Sequence, residues 1–228
     1  ADILEIGLSN VHLFVGTGAG DFTYDGDDGA LSGIKDTNGT LITDQSTSAV
    51  GFTVSDANVN LAIIKDTTKN LKWTGVAASI GEMAAVGIDT SVFDLSVKNL
   101  NLLYNVADAN GAKLNWDDLT SDGTVGGFEG LVSSLNLQVG GSLELGIDSY
   151  VKLAGTFLIT QQTDVTFDDG NTIEFEGDLL AINISDVYLF VGTGAGDFTY
   201  DGDGALSGIK DTNDTLITDP STSAVGFT

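Results

Sequence analysis

One segment of this chain occurs twice. Leu8–Thr53 reads LSNVHLFVGTGAGDFTYDGDDGALSGIKDTNGTLITDQSTSAVGFT, and Ile184–Thr228 reads ISDVYLFVGTGAGDFTYDGDGALSGIKDTNDTLITDPSTSAVGFT. With one gap at Asp28, 40 of 45 aligned positions are identical, at an offset of 176 residues before the gap and 175 after it. Identical sequences carry identical local preferences, so both copies are expected to form the same strands and turns. A fixed period is the signature of repeat architectures, and the chain reads as a window of about 1.3 units on a tandem array. On that reading residues 1–177 are one repeat unit and 178–228 begin the next. Asp2-Ile3-Leu4 faces Asp178-Leu179-Leu180 across the same offset.

Within the unit, apolar residues alternate with polar or small ones, the period of a half-buried strand. Val11, Leu13 and Val15 share one face, as do Val187, Leu189 and Val191, and likewise Val59, Leu61 and Ile63. Phe93, Leu95 and Val97 alternate, then the phase shifts to Leu100, Leu102 and Tyr104, which predicts a β-bulge near Asn99. Gly140-Gly141 separates Leu135–Val139 from Leu143–Ile147 and reads as a hairpin turn. Asp168–Asn171 reads as a second one, between Val165/Phe167 and Ile173/Phe175. Ser79–Val86 (SIGEMAAV) is the one stretch read as a turn or two of helix. About a dozen strands per unit predict an all-β fold of antiparallel strands, in a sandwich, an open barrel or a long twisted sheet, repeated in tandem.

Composition limits the function classes. The 228 residues carry 33 Asp+Glu, 8 basic residues and a formal net charge of −25. All the basic residues are Lys, so the chain lacks the Lys/Arg clusters that phosphate backbones require, and nucleic acid is excluded as a partner. No Cys is present, which excludes disulfide staples and thiolate zinc sites. No run of roughly 20 apolar residues marks a membrane span. The acids comprise 27 Asp and 6 Glu, and with 30 Gly they point to turns and oxygen-ligand loops rather than helices.

The loop Gly20–Gly29 (GDFTYDGDDG) and its partner Gly196–Gly204 (GDFTYDGDG) are the candidate metal sites. Asp21, Asp25, Asp27 and Asp28 crowd four carboxylates into eight residues, and Asp197, Asp201 and Asp203 repeat the pattern. Intervening glycines let the backbone wrap a cation and offer carbonyls, and mutual repulsion favours a counterion, so Ca²⁺ is the expected cofactor. The loop is not an EF-hand: counting from Asp25, the sixth position is Ala30 and the twelfth Asp36. The alternative is a solvated Asp/Gly turn, and that is the preferred reading of Asp117-Asp118 with Asp122 and of Asp164 with Asp168-Asp169. Three glycosylation sequons begin at Asn38, Asn183 and Asn213, of which Asn38 and Asn213 are repeat partners. Catalysis has little support. His12, the only His, is replaced by Tyr188 in the second copy, and the GTGAG of Val15–Gly20 lacks the P-loop Lys-Ser/Thr.

The runs LFVGTGAGDFTYDGDDGALSGIKD, AVGFTVSDANVNLAII, AASIGEMAAVGIDTSVFDLSVKNLNLLYN and GSLELGIDSYVKLAGTFLIT resemble repeats of very large secreted bacterial surface proteins of the RTX-adhesin type. The likeness covers nearly the whole chain and rests on repeat style; the RTX nonapeptide GGxGxDxxx does not occur. The resemblance implies calcium loading, a location outside the cell (cell surface or secreted) and a scaffold or adhesive role. The expected function is therefore a non-enzymatic structural segment of an extracellular tandem-repeat fibre, stalk or adhesin shaft. Its partners are neighbouring repeats or copies of itself, and glycans. The alternative is a carbohydrate-binding or carbohydrate-active module using Trp73, Trp116 and Tyr residues as sugar platforms. Burial of the Trp residues favours the first reading and a Trp-lined groove the second.

Overall fold

Alternation along the chain builds fewer and longer strands than the turn residues suggest. The computed structural model describes residues 1–26, 29–42, 48–89, 91–168, 170, 174–202, 206–218 and 224–227. Its elements are β1 (Asp2–Thr17), β2 (Ala19–Tyr24), β3 (Leu31–Asp36), β4 (Val50–Asp66), β5 (Leu71–Val86), β6 (Phe93–Val106), α1 (Trp116–Ser121), β7 (Leu135–Ile147), β8 (Val151–Asp168), β9 (Glu174–Thr193), β10 (Ala195–Tyr200), β11 (Leu206–Asp211) and β12 (Val225–Phe227). Eight strands form one antiparallel sheet in the order β1-β4-β5-β6-β7-β8-β9-β12. The hairpins β2-β3 and β10-β11 stand outside it as separate two-stranded ribbons. The all-β expectation is borne out, with the architecture of a long open sheet. The expected unit boundary at 177/178 falls inside β9.

Asp, Asn and Gly residues that read as turns are largely absorbed as irregularities inside strands. Asn10, Asp56, Asn99, Asp164 and Asp186 all adopt positive φ between 52° and 57°, a conformation that Asn and Asp tolerate better than other non-glycine residues. Register shifts accompany Asn10, Asn99, Asp164 and Asp186, so the expected bulge near Asn99 is present. Opposite it lies Gly141, where a Cβ would sit 3.2 Å from both Leu100 Cα and Lys98 O. Gly140-Gly141 is therefore the interior of β7, not a turn: the glycine lets the bulged neighbour approach. The real turn follows at Asp148. The Phe167/Phe175 hairpin is borne out, with those two residues paired and their rings stacked at 4.9 Å.

Ser79–Val86 is strand, not helix. It completes β5, which is bonded by β4 on one side and β6 on the other. A propensity for helix cannot compete with two ladders.

The two faces of the sheet differ. On the hairpin face, the 107–134 connection carries α1 and folds back over β4 and β5. Its Trp116 and Phe128 rings meet at 5.4 Å and bury Ala62, Ile64 and Ala77. Trp116 lies against Gly75, whose missing Cβ would be 2.8 Å from the indole. The indole N–H donates to Asn105 Oδ1 at 2.9 Å, and Asn105 Nδ2 donates to the carbonyls of Leu114 and Val132. The indole N–H and the Asn105 amide are thereby paired, as burial requires. The opposite face bears no such layer. One row across it runs Leu8, Val59, Ala78, Leu102, Val139, Ile159 and Ile182 through seven strands.

Candidate functional site

The repeated segment builds the same small structure twice. In both copies a long strand leads through a positive-φ glycine, Gly18 or Gly194, into a hairpin. The hairpin pairs Ala19 with Asp36 and Phe22 with Ile34 in the first copy, and Ala195 with Asp211 and Phe198 with Ile209 in the second. A five-residue turn follows. Asp36 Oδ1 accepts from the N–H groups of Asn38 and Thr40 at 2.9 and 2.8 Å, and Asp211 Oδ1 does so from Asn213 and Thr215 at 2.9 Å each. Asp108 makes the same turn with Asn110 and Ala112. The shared Asp-x-Asn sequence is the legible signal, because the carboxylate caps N–H groups that no strand partner reaches. Asp36 Oδ2 also accepts from Ser48 N and Oγ at 2.9 and 3.0 Å. The Ser48 bond, with those from Thr40 and Asn38, holds the Asp36 carboxyl below the usual carboxylate range.

The copies differ in what surrounds them. The first hairpin is packed on the side that follows it in sequence. Ile42 and Ala49 are buried against Val86 of β5, with Phe14 and Ile34 beside them. Its other side, with Ala19, Phe22 and Tyr24, is exposed. In the second copy the equivalent residues are covered by the strands that precede it. Phe190 is 0 % and Ala195 3 % exposed, while Ile217 and Ala224, the partners of Ile42 and Ala49, are only half-buried. The turn before β8 contributes directly: Tyr150 and Ser149 carbonyls accept from the N–H groups of Gly192 and Ala195 at 2.8 and 3.1 Å.

A polar cluster lies under the second hairpin. Glu144 of β7 accepts from Tyr200 Oη at 2.7 Å, Lys98 Nζ at 3.1 Å and Ser96 Oγ at 3.2 Å. Lys98 Nζ also sits 5.2 Å from the Tyr200 ring centroid, and Lys152 Nζ 5.8 Å from that of Phe198. Burial and the Glu144 carboxylate push the Tyr200 hydroxyl up to about 12. Burial works against the Lys98 ammonium, but Glu144 outweighs it and the pKa is raised. Burial raises the Asp94 carboxyl against the pull of Lys152. Tyr24, the counterpart of Tyr200, is 59 % exposed, and its hydroxyl makes no hydrogen bond among the described residues. Sequence reading missed this cluster because its members lie on β6, β7 and β10, with Lys98 and Tyr200 102 residues apart.

Of the expected metal ligands, Asp27, Asp28 and Asp203 lie outside the described residues. Asp21, Asp25, Asp197 and Asp201 are exposed, and no group of three or more His, Asp or Glu side chains placed to hold a metal occurs among the described residues. The loop closes on itself through Asp25 N–H to Ala30 O at 2.8 Å and Gly29 N–H to Asp25 O at 3.1 Å. Asn38 and Asn213 sit exposed in their turns, and Asn183 is exposed within β9. The weaker acidic clusters serve local structure. Asp117 Oδ1 accepts from Gly130 N–H at 2.6 Å, and Asp168 Oδ1 from Gly170 N–H at 2.7 Å. Trp116 is buried, and Trp73, half-buried, donates its indole N–H to Ala112 O at 3.0 Å. No described helix is long and apolar enough to cross a membrane. No family model matches the chain, and neither does any curated protein or solved structure.

Proposed function

We propose that the chain is a structural segment of an extracellular fibre, stalk or adhesin shaft built by tandem repetition of this unit, with calcium held in its Asp/Gly loops. One observation carries the reading: the two copies of the hairpin are each half-packed, on opposite sides. The first has the strands that follow it, the second the strands that precede it. Superposed, they describe one hairpin enclosed on both sides within a continuous sheet. β9 supports the reading from the other direction, since it occupies the position of β1 and takes β8 on the edge that β1 leaves open.

Each unit then adds six long strands to one sheet, β1 and β4 to β8, which at about 4.8 Å per strand advances the array by roughly 29 Å. The seam is specified by the Tyr200–Glu144–Lys98 cluster and the Tyr150 and Ser149 carbonyls, not by a flexible linker. Strand pairing satisfies open edges that otherwise invite aggregation. Absence of Cys suits a long exported chain, and the high negative charge keeps it dispersed. Burial of Trp116 and the bonded indole of Trp73 weigh against a sugar platform.

Lengthening the chain by one further unit ahead of residue 1 tests the reading. The longest dimension in small-angle scattering should grow by about 29 Å, the advance of six strands. Exchange of amides in β1 should slow to the rate of those in β9. A chain that grows as two independently tumbling bodies, with β1 amides still exchanging freely, refutes the continuous sheet.

A further inference from the structure

The hairpin face of the sheet is covered and its other face is bare, yet the bare face is the more apolar. Row after row crosses it without a charge: Leu8, Val59, Ala78, Leu102, Val139 and Ile159 in one, with parallel rows on either side. An antiparallel sheet with one solvated face ordinarily turns polar residues to water. Here Glu82, Lys98, Glu144 and Lys152 of the central strands point to the covered face, beneath the hairpin, while the bare face carries a charged row, Asp2, Lys65 and Lys72, at its far end. The bare-face residues of central strands are only half-buried, shielded by their in-plane neighbours alone, and those on β1 and β9 are open, Leu8 at 53 % and Ile182 at 61 %.

We propose that this face docks on the same face of a second copy, closing two sheets into a two-layer sandwich. The extent of the face selects the occupant. Seven strands, six spacings of about 4.8 Å, and some fourteen residues at about 3.3 Å give a footprint of roughly 1,300 Å² per chain. That is several times the apolar patch a monomer ordinarily exposes, and twice it exceeds the roughly 1,600 Å² total of a standard stable interface. A peptide or small ligand covers a fraction of it, whereas another sheet of this length matches it edge to edge. Two pleated faces of branched aliphatic residues interdigitate at about 10 Å, the ordinary sandwich spacing.

Charge weighs against a membrane as the occupant. Interfacial membrane binders carry Lys, Arg and Trp around their apolar face, whereas this chain has net charge −25. Both its Trp residues lie on the covered face. Pairing the bare faces also leaves the hairpins and the 107–134 connection outward on both copies, so nothing described obstructs the approach. The contact uses side chains on a face, whereas the proposed array uses strand edges. The two therefore fail separately.

Sedimentation equilibrium of the whole chain tests the proposal. The expected mass is twice 23.5 kDa. Val139→Asp, at the centre of the face, should return a single chain with unchanged β-type circular dichroism and self-association weakened by at least tenfold. Asn213→Asp, in an exposed turn, should leave the mass unchanged. Where Val139→Asp loses its β signal, the double variant Leu102→Thr/Val139→Thr, which keeps strand propensity, decides on the same readout. A wild-type chain sedimenting at 23.5 kDa overturns the proposal. So does association that survives in the folded face variants, which would assign it to the strand edges. A single chain that instead co-sediments with phosphatidylcholine vesicles assigns the face to lipid and likewise overturns it.

Discussion

Tyr24 and Tyr200 occupy equivalent positions in the two copies, so Tyr→Phe at each isolates the packing that differs between them. Tyr200 donates to Glu144 at 2.7 Å, and Glu144 is 8 % exposed. A hydrogen bond to a charged acceptor contributes about 1.5–3 kcal/mol. Glu144 keeps Lys98 and Ser96 as donors and Tyr200 is 42 % exposed, so water and the remaining donors recover part. The expected loss for Tyr200→Phe is about 1 kcal/mol, or roughly 2–4 °C in Tm for a chain of this size. Tyr24→Phe should stay within about 0.5 kcal/mol of wild type. Urea unfolding and amide exchange in β10 and β11 measure both, and a cycle with Glu144→Gln isolates the pair. The pH dependence adds a signature. The Tyr200 hydroxyl, raised from 10.0 to about 12, is protonated in the folded chain where the unfolded chain has ionised. Its contribution is full below pH 10 and is lost as pH rises toward 12; Tyr200→Phe should abolish that alkaline decline. Equal effects of the two substitutions, or no coupling to Glu144, would refute the seam.

Gly75→Ala should cost about 1–3 kcal/mol by forcing the Trp116 indole off its seat, seen as lower stability and red-shifted fluorescence. Asn105→Leu should cost a similar amount, about 1–3 kcal/mol, by leaving the Trp116 N–H and the Leu114 carbonyl unpaired under the ring. Asp36 lies below its usual pKa, so its contribution is present above the unfolded value and lost as pH falls through the folded one. Asp36→Asn should flatten that acid limb and speed exchange of the Thr40 and Ser48 amides. If the Asp21/Asp25/Asp27/Asp28 and Asp197/Asp201/Asp203 loops hold Ca²⁺, saturating calcium at a hundredfold excess over Kd should stabilise the chain by about 2.7 kcal/mol for each loop that binds. Melting curves with and without EGTA that coincide would remove calcium from the reading.

The sequence by itself determined what depends on neighbours along the chain. Alternation specified strands and their apolar faces, because side chains on a pleated backbone point to opposite sides with period two. Asp-x-Asn specified the turns at Asp36 and Asp211, because the cap is made within five residues. The phase shift after Val97 located the bulge at Asn99. Duplication of 45 residues implied duplicated structure. Tertiary structure decided what depends on partners far away. Whether Gly140-Gly141 turns or continues depended on the bulge in β6 lying beside it, and whether Ser79–Val86 coils depended on the ladders on both its edges. The connection to Trp116 could not be read, since its core is assembled from β4, β5 and the 107–134 segment together. The same holds for Tyr24 and Tyr200. Their local sequence, TYDGD, is one and the same, and only the strands packed against each hairpin bond one Tyr to Glu144 and leave the other in water.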